Sequence, residues 1–231
     1  MNKNERKAVL NRYNKRLQKF GYSNLTLGWG KKDRSDLRFE IFKQAFNFKN
    51  SKILDFGCGF GDFYGYLRKN KIKPKSYLGI DINQNLINMA RNLYPEAKFL
   101  CDNNSEKSFE LENINNVDYV VSSGVFNFKL SKHYDFIESC FDSFNKMSKS
   151  GFICNFISDK ISKNYFPDKN INYNSPEKIL GLAYKFSNNI ILRNDYMPYE
   201  FTIVVRKDIM IDEKLTVYEN NLKYVNKKAN N

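Results

Sequence analysis

The run Ile53-Leu54-Asp55-Phe56-Gly57-Cys58-Gly59-Phe60-Gly61-Asp62 constrains this 231-residue chain more than any other. Its apolar start reads as a short buried strand. The carboxylate and glycines that follow read as an abrupt turn, and residues from about Phe63 to Asn70 as a helix. Glycine lets the backbone turn tightly and approach a ligand at the strand's carboxyl end, where a β-carbon would clash. Three further apolar runs end on polar residues: Ser76 to Asp81, Ala97 to Asp102, and Val117 to Ser123 with Gly124 next. Helix-like stretches at Gln84–Leu93 and Lys132–Met147 lie between them. Such alternation predicts an open, mostly parallel sheet with helices on both faces.

The spacing of the polar residues narrows the ligand. Asp81 falls 20 residues after Gly61, where dinucleotide-binding folds place the carboxylate that takes the ribose hydroxyls. The glycines, however, read Gly57-x-Gly59-x-Gly61, and Asp62 stands where G-x-G-x-x-G wants its last glycine. A carboxylate opening that helix repels a pyrophosphate. No G-x-x-x-x-G-K-[ST] loop is present. A ligand with ribose and adenine but no phosphate fits better, and S-adenosylmethionine is the common one. A NAD-dependent reductase is disfavoured by Asp62.

Across roughly residues 25 to 207 the sequence resembles the class I S-adenosylmethionine-dependent methyltransferases. The resemblance implies a Rossmann-like α/β fold: a seven-stranded, mostly parallel sheet with an antiparallel C-terminal strand and helices on both faces. It implies S-adenosylmethionine as cofactor and S-adenosylhomocysteine as product. Leu54 to Gly61 looks like the family's first motif, so Asp55, Gly57, Gly59 and Gly61 are expected around the methionine part of the cofactor. Asp81 matches the ribose-binding acid, with Ile82 placed against the adenine. Asp102 and Asn103 match positions that read the adenine edge, and Ser123-Gly124 matches the strand end passing the donor methyl. Leu27-Gly28-Trp29-Gly30, Arg38, and Asp195 to Thr202 are similar to segments of a bacterial subgroup of small-molecule methyltransferases. That likeness points to a sugar or surface-polysaccharide precursor as acceptor.

Three regions follow. Residues 1–48 form a basic helical segment, with Val9, Leu10, Tyr13, Leu17 and Phe20 at helical spacing; it either packs on the sheet or forms a lid over the cofactor. Residues 49–207 form the methyltransferase domain. Within it, residues 158–207 make the acceptor side: a polar loop Ser158–Asn174, a helix capped by Ser175-Pro176, and β-rich runs Asn189–Arg193 and Glu200–Arg206. Residues 208–231 are a polar tail.

The net charge of +13 invites a nucleic-acid partner. Yet nine arginines stand against 29 lysines, and asparagine is abundant throughout, a pattern of compositional bias more than of a phosphate-binding patch. The [DNS]-P-P-[YFW] of amino-methylating DNA enzymes is missing where the fourth run gives Ser122-Ser123-Gly124-Val125-Phe126, and no Pro-Cys nucleophile occurs there. An RNA methyltransferase, or a non-catalytic cofactor-binding partner protein, stays as the alternative. The N-terminus lacks the apolar core of a signal peptide and no run of 18 apolar residues occurs, so a cytoplasmic location without a membrane span is expected. Four cysteines without a C-x-x-C pair, and a single histidine, give no metal cluster and read as buried thiols. The oligomeric state is left open.

Methyl transfer to oxygen or nitrogen sometimes needs a general base. The candidates are His133, which reads either as a base or as an exposed residue opening a helix, and Tyr199 and Glu200, which either face the acceptor or form a structural turn. Asn127, Asn155 and Tyr173 are candidate acceptor-binding residues. Trp29 is either a cofactor-side aromatic, attractive to a sulfonium, or a hydrophobic plug. Arg38 is either a bidentate partner of the methionine carboxylate or a surface arginine.

Overall fold

Adjacent residues on each central strand face opposite ways, as the period of two requires. Leu54, Val120, Phe152 and Ile203 are buried in one core, whereas Ile53, Val121, Ile153 and Val204 are buried in the other. Both faces of the sheet are therefore covered. The computed structural model describes residues 1–29, 32–102, 116–161, 168 and 171–207.

In chain order the elements are α1 (Lys3–Phe20), α2 (Asn24–Leu27), α3 (Lys32–Ala45), β1 (Lys52–Phe56), α4 (Asp62–Lys69), β2 (Ser76–Asp81), α5 (Gln84–Leu93), β3 (Lys98–Cys101), β4 (Val117–Ser122), α6 (His133–Met147), β5 (Ser148–Ile157), α7 (Pro176–Ala183), β6 (Asn189–Arg193) and β7 (Glu200–Arg206). The sheet order is β3-β2-β1-β4-β5-β7-β6. β1 pairs in parallel with β2 and β4, and β4 with β5, while β7 is antiparallel to both β5 and β6. This is the seven-stranded, mostly parallel sheet with an antiparallel last strand that the sequence led us to expect. Strand order reverses between β1 and β4, and such a switch point opens a crevice at the carboxyl ends of the strands.

Local signals account for most boundaries. Asn2 caps α1 in a reciprocal capping box with Glu5, and Asn83 caps α5. Ser175 caps α7, with Pro176 in its first turn. Six of the seven strands coincide with runs marked in the sequence. The seventh, β5, follows α6 without a break, and its opening Ser148-Lys149-Ser150-Gly151 is rich in turn-favouring residues that mask the strand's start. The helical N-terminal region resolves into three helices. Of the four thiols, Cys58, Cys140 and Cys154 are buried and Cys101 half-buried, none in a disulfide. No helix among the described residues is long and apolar enough to cross a membrane. The expected polar tail, residues 208–231, lies outside the described residues.

Candidate active site at the strand switch point

At the end of β1 the chain turns through Gly57, Gly59 and Gly61, all with positive φ (77°, 55° and 77°). A β-carbon on Gly57 would stand 2.0 Å from the Val125 side chain, and one on Gly59 would stand 3.2 Å from Leu27. The close neighbours here are protein side chains: Val125 from the turn after β4, and Leu27 from α2. Behind the turn, Asp55 is buried and accepts a hydrogen bond from the Tyr77 hydroxyl. Burial pushes its carboxyl up to about 7; the Tyr77 bond opposes this, and the charges of Asp81 and Asp62 add to it.

Asp81, at the end of β2, accepts the backbone N–H groups of Gly59 (3.0 Å) and Asn83 (2.8 Å), locking the β2 turn to the glycine turn. Burial raises its carboxyl above the ordinary value, against those hydrogen bonds. A carboxylate has about four lone-pair sites, so two N–H groups leave room for ribose hydroxyls. Ile82 is half-buried just beyond. Asp102 follows β3 and receives the Arg6 guanidinium, 3.6 Å from its carboxylate. Asn103 lies outside the described residues.

The β4 end is pinned by side-chain amides. Gly124 N–H donates to Asn155 Oδ1 (2.8 Å), and Asn155 Nδ2 donates to Ser123 Oγ (3.1 Å). Asn127 Oδ1 accepts from Ile157 N–H (3.1 Å). The two asparagines thus hold the turn that presents Gly124. A β-carbon on Gly124 would stand 3.3 Å from Trp29 Nε1 and 3.8 Å from Asn127 Nδ2, so two N–H donors flank its bare face. Trp29 therefore reaches the β4 strand end, with its ring edge-on to Phe39.

Arg38 is not a surface residue. It is buried, its guanidinium lies 5.7 Å from the Trp29 ring centroid, and its Nε (2.7 Å) and Nη2 donate to the two carboxylate oxygens of Glu200 at the start of β7. Burial works against the Arg38 charge, but the hydrogen bonds and charge of Glu200 outweigh it and hold the guanidinium above its ordinary value. Nη1 has no hydrogen-bond partner among the described residues.

Helix α1 crosses the carboxyl edge of this sheet. Arg6 reaches Asp102, Asn14 Oδ1 accepts from Asn83 Nδ2 (2.9 Å), and Tyr13 is packed edge-on to Phe128 beyond β4. Burial, with the nearby Asp81 charge, raises the Tyr13 phenol above its ordinary value. Arg16 ties α1 to α2 by donating to the Thr26 (2.9 Å) and Leu25 carbonyls. Beneath lies a cavity of about 180 Å³, its wall including Tyr13, Trp29, Arg38, Gly124, Asn155, Tyr199 and Glu200.

The structure brings Trp29, Arg38, Gly124, Asn127, Asn155, Tyr199 and Glu200 to one cavity. His133 is not among its wall residues. Expected as an exposed helix opener or a base, it is buried, with Nε2 donating to Asn174 Oδ1 (2.7 Å), and burial lowers its pKa. Asn174 Nδ2 donates to the Phe126 carbonyl, which identifies its Oδ1 as the acceptor. Tyr173 accepts a hydrogen bond from Asp168 N–H (2.8 Å) and is also outside the wall. Arg12, Tyr13 and Arg16 were not singled out as site residues in the sequence. The available signal was an i, i+4 arginine pair beside the apolar stripe of α1.

Residues 53–151 match the family model described as "Methyltransferase domain". The Mycobacterium tuberculosis (strain ATCC 25618 / H37Rv) protein named "Putative methyltransferase Rv1506c" is 31% identical over 164 residues, covering 67% of this chain and 92% of that protein. The chain belongs to the class I S-adenosylmethionine-dependent methyltransferases. Solved methyltransferases share its fold. A TehB-like SAM-dependent methyltransferase from Corynebacterium glutamicum superposes with a TM-score of 0.55 at 23% identity, covering 87% of this chain and 98% of that one. A SAM-dependent methyltransferase from Archaeoglobus fulgidus gives 0.58 at 15% identity, covering 77% and 95%. S-adenosylmethionine is accordingly the expected cofactor of this methyltransferase. The local chemistry fits it: a carboxylate at the end of β2, a phosphate-repelling Asp62 opening α4, and a buried guanidinium whose Nη1 has no partner among the described residues.

Proposed function

We propose that this methyltransferase methylates an oxygen or nitrogen of a small molecule held between α1 and the ends of β4, β5 and β7. The sugar or surface-polysaccharide precursor suggested by the sequence remains the acceptor class we favour. The observation that carries this reading is the small cavity beside Gly124, roofed by Tyr13 of α1. Ligand pockets usually span about 300–1,000 Å³, so a cavity of about 180 Å³ suits a compact acceptor better than a polynucleotide.

In this reading Asp81 takes the ribose, and Ile82 and Asp102 with Asn103 take the adenine. Arg38 presents Nη1 to the methionine carboxylate while Glu200 fixes its plane. Bound S-adenosylmethionine supplies an activated sulfonium methyl, so alignment of the acceptor atom at about 3–3.5 Å provides much of the catalysis. Trp29 and the Asn127 amide stand on either side of Gly124 to set that alignment. Residues 1–48 act as the lid, with α1 excluding water. Of the three base candidates, Tyr199 of the cavity wall is the one that would hydrogen-bond an acceptor hydroxyl in this reading. Glu200 is committed to Arg38, and His133 is held by Asn174 away from the cavity wall.

The test is release of S-adenosylhomocysteine from the full chain with monosaccharides, sugar phosphates, nucleotide sugars and total RNA. Turnover above the acceptor-free rate with one small-molecule class supports the proposal. Turnover on RNA alone, or tight cofactor binding with no turnover on any acceptor, would replace it with the RNA or partner-protein reading.

A further inference from the structure

Three of the nine arginines of this chain, Arg12, Arg16 and Arg38, are among the described wall residues of the cavity, and none of its 29 lysines is. Compositional bias would have filled a basic surface with lysine. Among the described wall residues there is one carboxylate, Glu200, and both of its oxygens are occupied by Arg38. Arg12 and Arg16 stand one helical turn apart on α1. Arg16 keeps its place through backbone carbonyls, which carry no compensating charge. Burial, with repulsion from Arg12, lowers the pKa of Arg16. Among the described residues Arg12 has one ion pair, to Asp168 at 3.4 Å, with the Asp168 side chain 40% exposed. An exposed pair of that kind is worth at most about 1 kcal/mol and is readily exchanged. The face of Phe128, 5.8 Å away, holds the Arg12 guanidinium in position.

We infer that the acceptor carries an oxyanion, a phosphate or a carboxylate, and that Arg12, supported by Arg16, recognises it. The inference rests on the reading of this cavity as the acceptor site of the methyltransferase. A guanidinium fork matches both anions in a way an ammonium does not. The field of the site excludes the opposite class: a protonated amine would enter a wall with excess positive charge, beside a cofactor whose sulfonium adds one more. Arg12 is thus a specificity-determining residue, and the anion is a handle distinct from the attacking atom.

The experiment is calorimetric titration of the full chain saturated with S-adenosylhomocysteine, which occupies the cofactor side, including Arg38 in our reading. The probes are glucose 1-phosphate, glucuronate, glucose and glucosamine, with inorganic phosphate alone as a further arm. Binding of glucose 1-phosphate or glucuronate at millimolar concentration or below, with glucose and glucosamine at least tenfold weaker, is the expected result. Which anionic sugar binds more tightly decides between phosphate and carboxylate. Arg12→Gln should then lose about tenfold in affinity for the anionic probe while its affinity for S-adenosylhomocysteine is unchanged. Equal binding of glucose or glucosamine, no binding of any anion, or an unaltered affinity in Arg12→Gln would overturn the inference. Failure of S-adenosylhomocysteine itself to bind would instead strike at the cofactor assignment.

Discussion

Replacing Glu200 by Ala is the perturbation whose size the structure fixes best. The side chains of Arg38 and Glu200 are 7% and 5% exposed, and the carboxylate accepts both Nε and Nη2. Truncating Glu200 leaves a buried guanidinium with no counter-charge among the described residues. Breaking a buried pair in this way costs about 3–5 kcal/mol, a large part of the roughly 5–15 kcal/mol that holds a domain folded. With a urea dependence of about 2–3 kcal/mol per molar, the unfolding midpoint should fall by roughly 1–2 M. The apolar double replacement Arg38→Met with Glu200→Leu removes both charges together, and should recover to within about 1 kcal/mol of the wild type. Urea unfolding followed by circular dichroism reads both values. If Glu200→Ala shifted the midpoint by less than a few tenths of a molar, the pair would be hydrated in solution and the reasoning refuted. The stable double variant also separates folding from function: it should unfold normally yet bind S-adenosylmethionine poorly, having lost the Nη1 donor.

Three further outcomes are expected. Gly57→Ala forces a β-carbon to 2.0 Å from Val125 at φ 77°, so it should destabilise the chain by about 1–3 kcal/mol; Val125→Ala in the same chain should restore part of this, read by thermal unfolding. Burial pushes the Asp55 carboxyl in the folded protein up to about 7 from an ordinary value of 3.8. Its contribution therefore falls by about 1.4 kcal/mol per pH unit as pH rises through that window and stays lost above it. Asp55→Asn removes this slope, so its stability relative to wild type should grow between about pH 4 and about pH 7 and then level off; a constant difference would refute the burial argument. Asp81→Ala removes the acceptor of Gly59 N–H and the proposed ribose partner, so calorimetry should show cofactor affinity lowered by about 1–3 kcal/mol. Unchanged affinity would misplace the ribose.

The sheet was legible because its signals are local. Ile53 to Asp62 declares a strand, a turn and a helix start within ten residues, and Ser175-Pro176 declares a cap. What stayed hidden depends on distant chain segments. β5 continues directly from α6, and the turn-favouring Ser148-Lys149-Ser150-Gly151 at its start hides the change of periodicity. Arg38 sits 162 positions before Glu200, and nothing in either neighbourhood announces that one will neutralise the other. His133 opens a helix, as the sequence suggests, but its burial is decided by Asn174, 41 residues later. The arginines of α1 look like solvent-facing charges until the helix is laid across the strand ends. For the same reason the glycine turn was read for its approach to a ligand, while its tightest neighbours are the side chains of Val125 and Phe99.

The central claim is that the methyl donor binds at the β1–β4 switch point beneath α1, beside Gly124. Trp29 is the single tryptophan of the chain and its Nε1 flanks that glycine, so its fluorescence reports on that position alone. Titrating the full chain with S-adenosylmethionine should change the tryptophan emission along a saturating curve, with a micromolar midpoint matching calorimetry and no response to NADH. Calorimetric binding without any change in Trp29 emission, or a response to NADH instead, would contradict the placement of the cofactor on which this account depends.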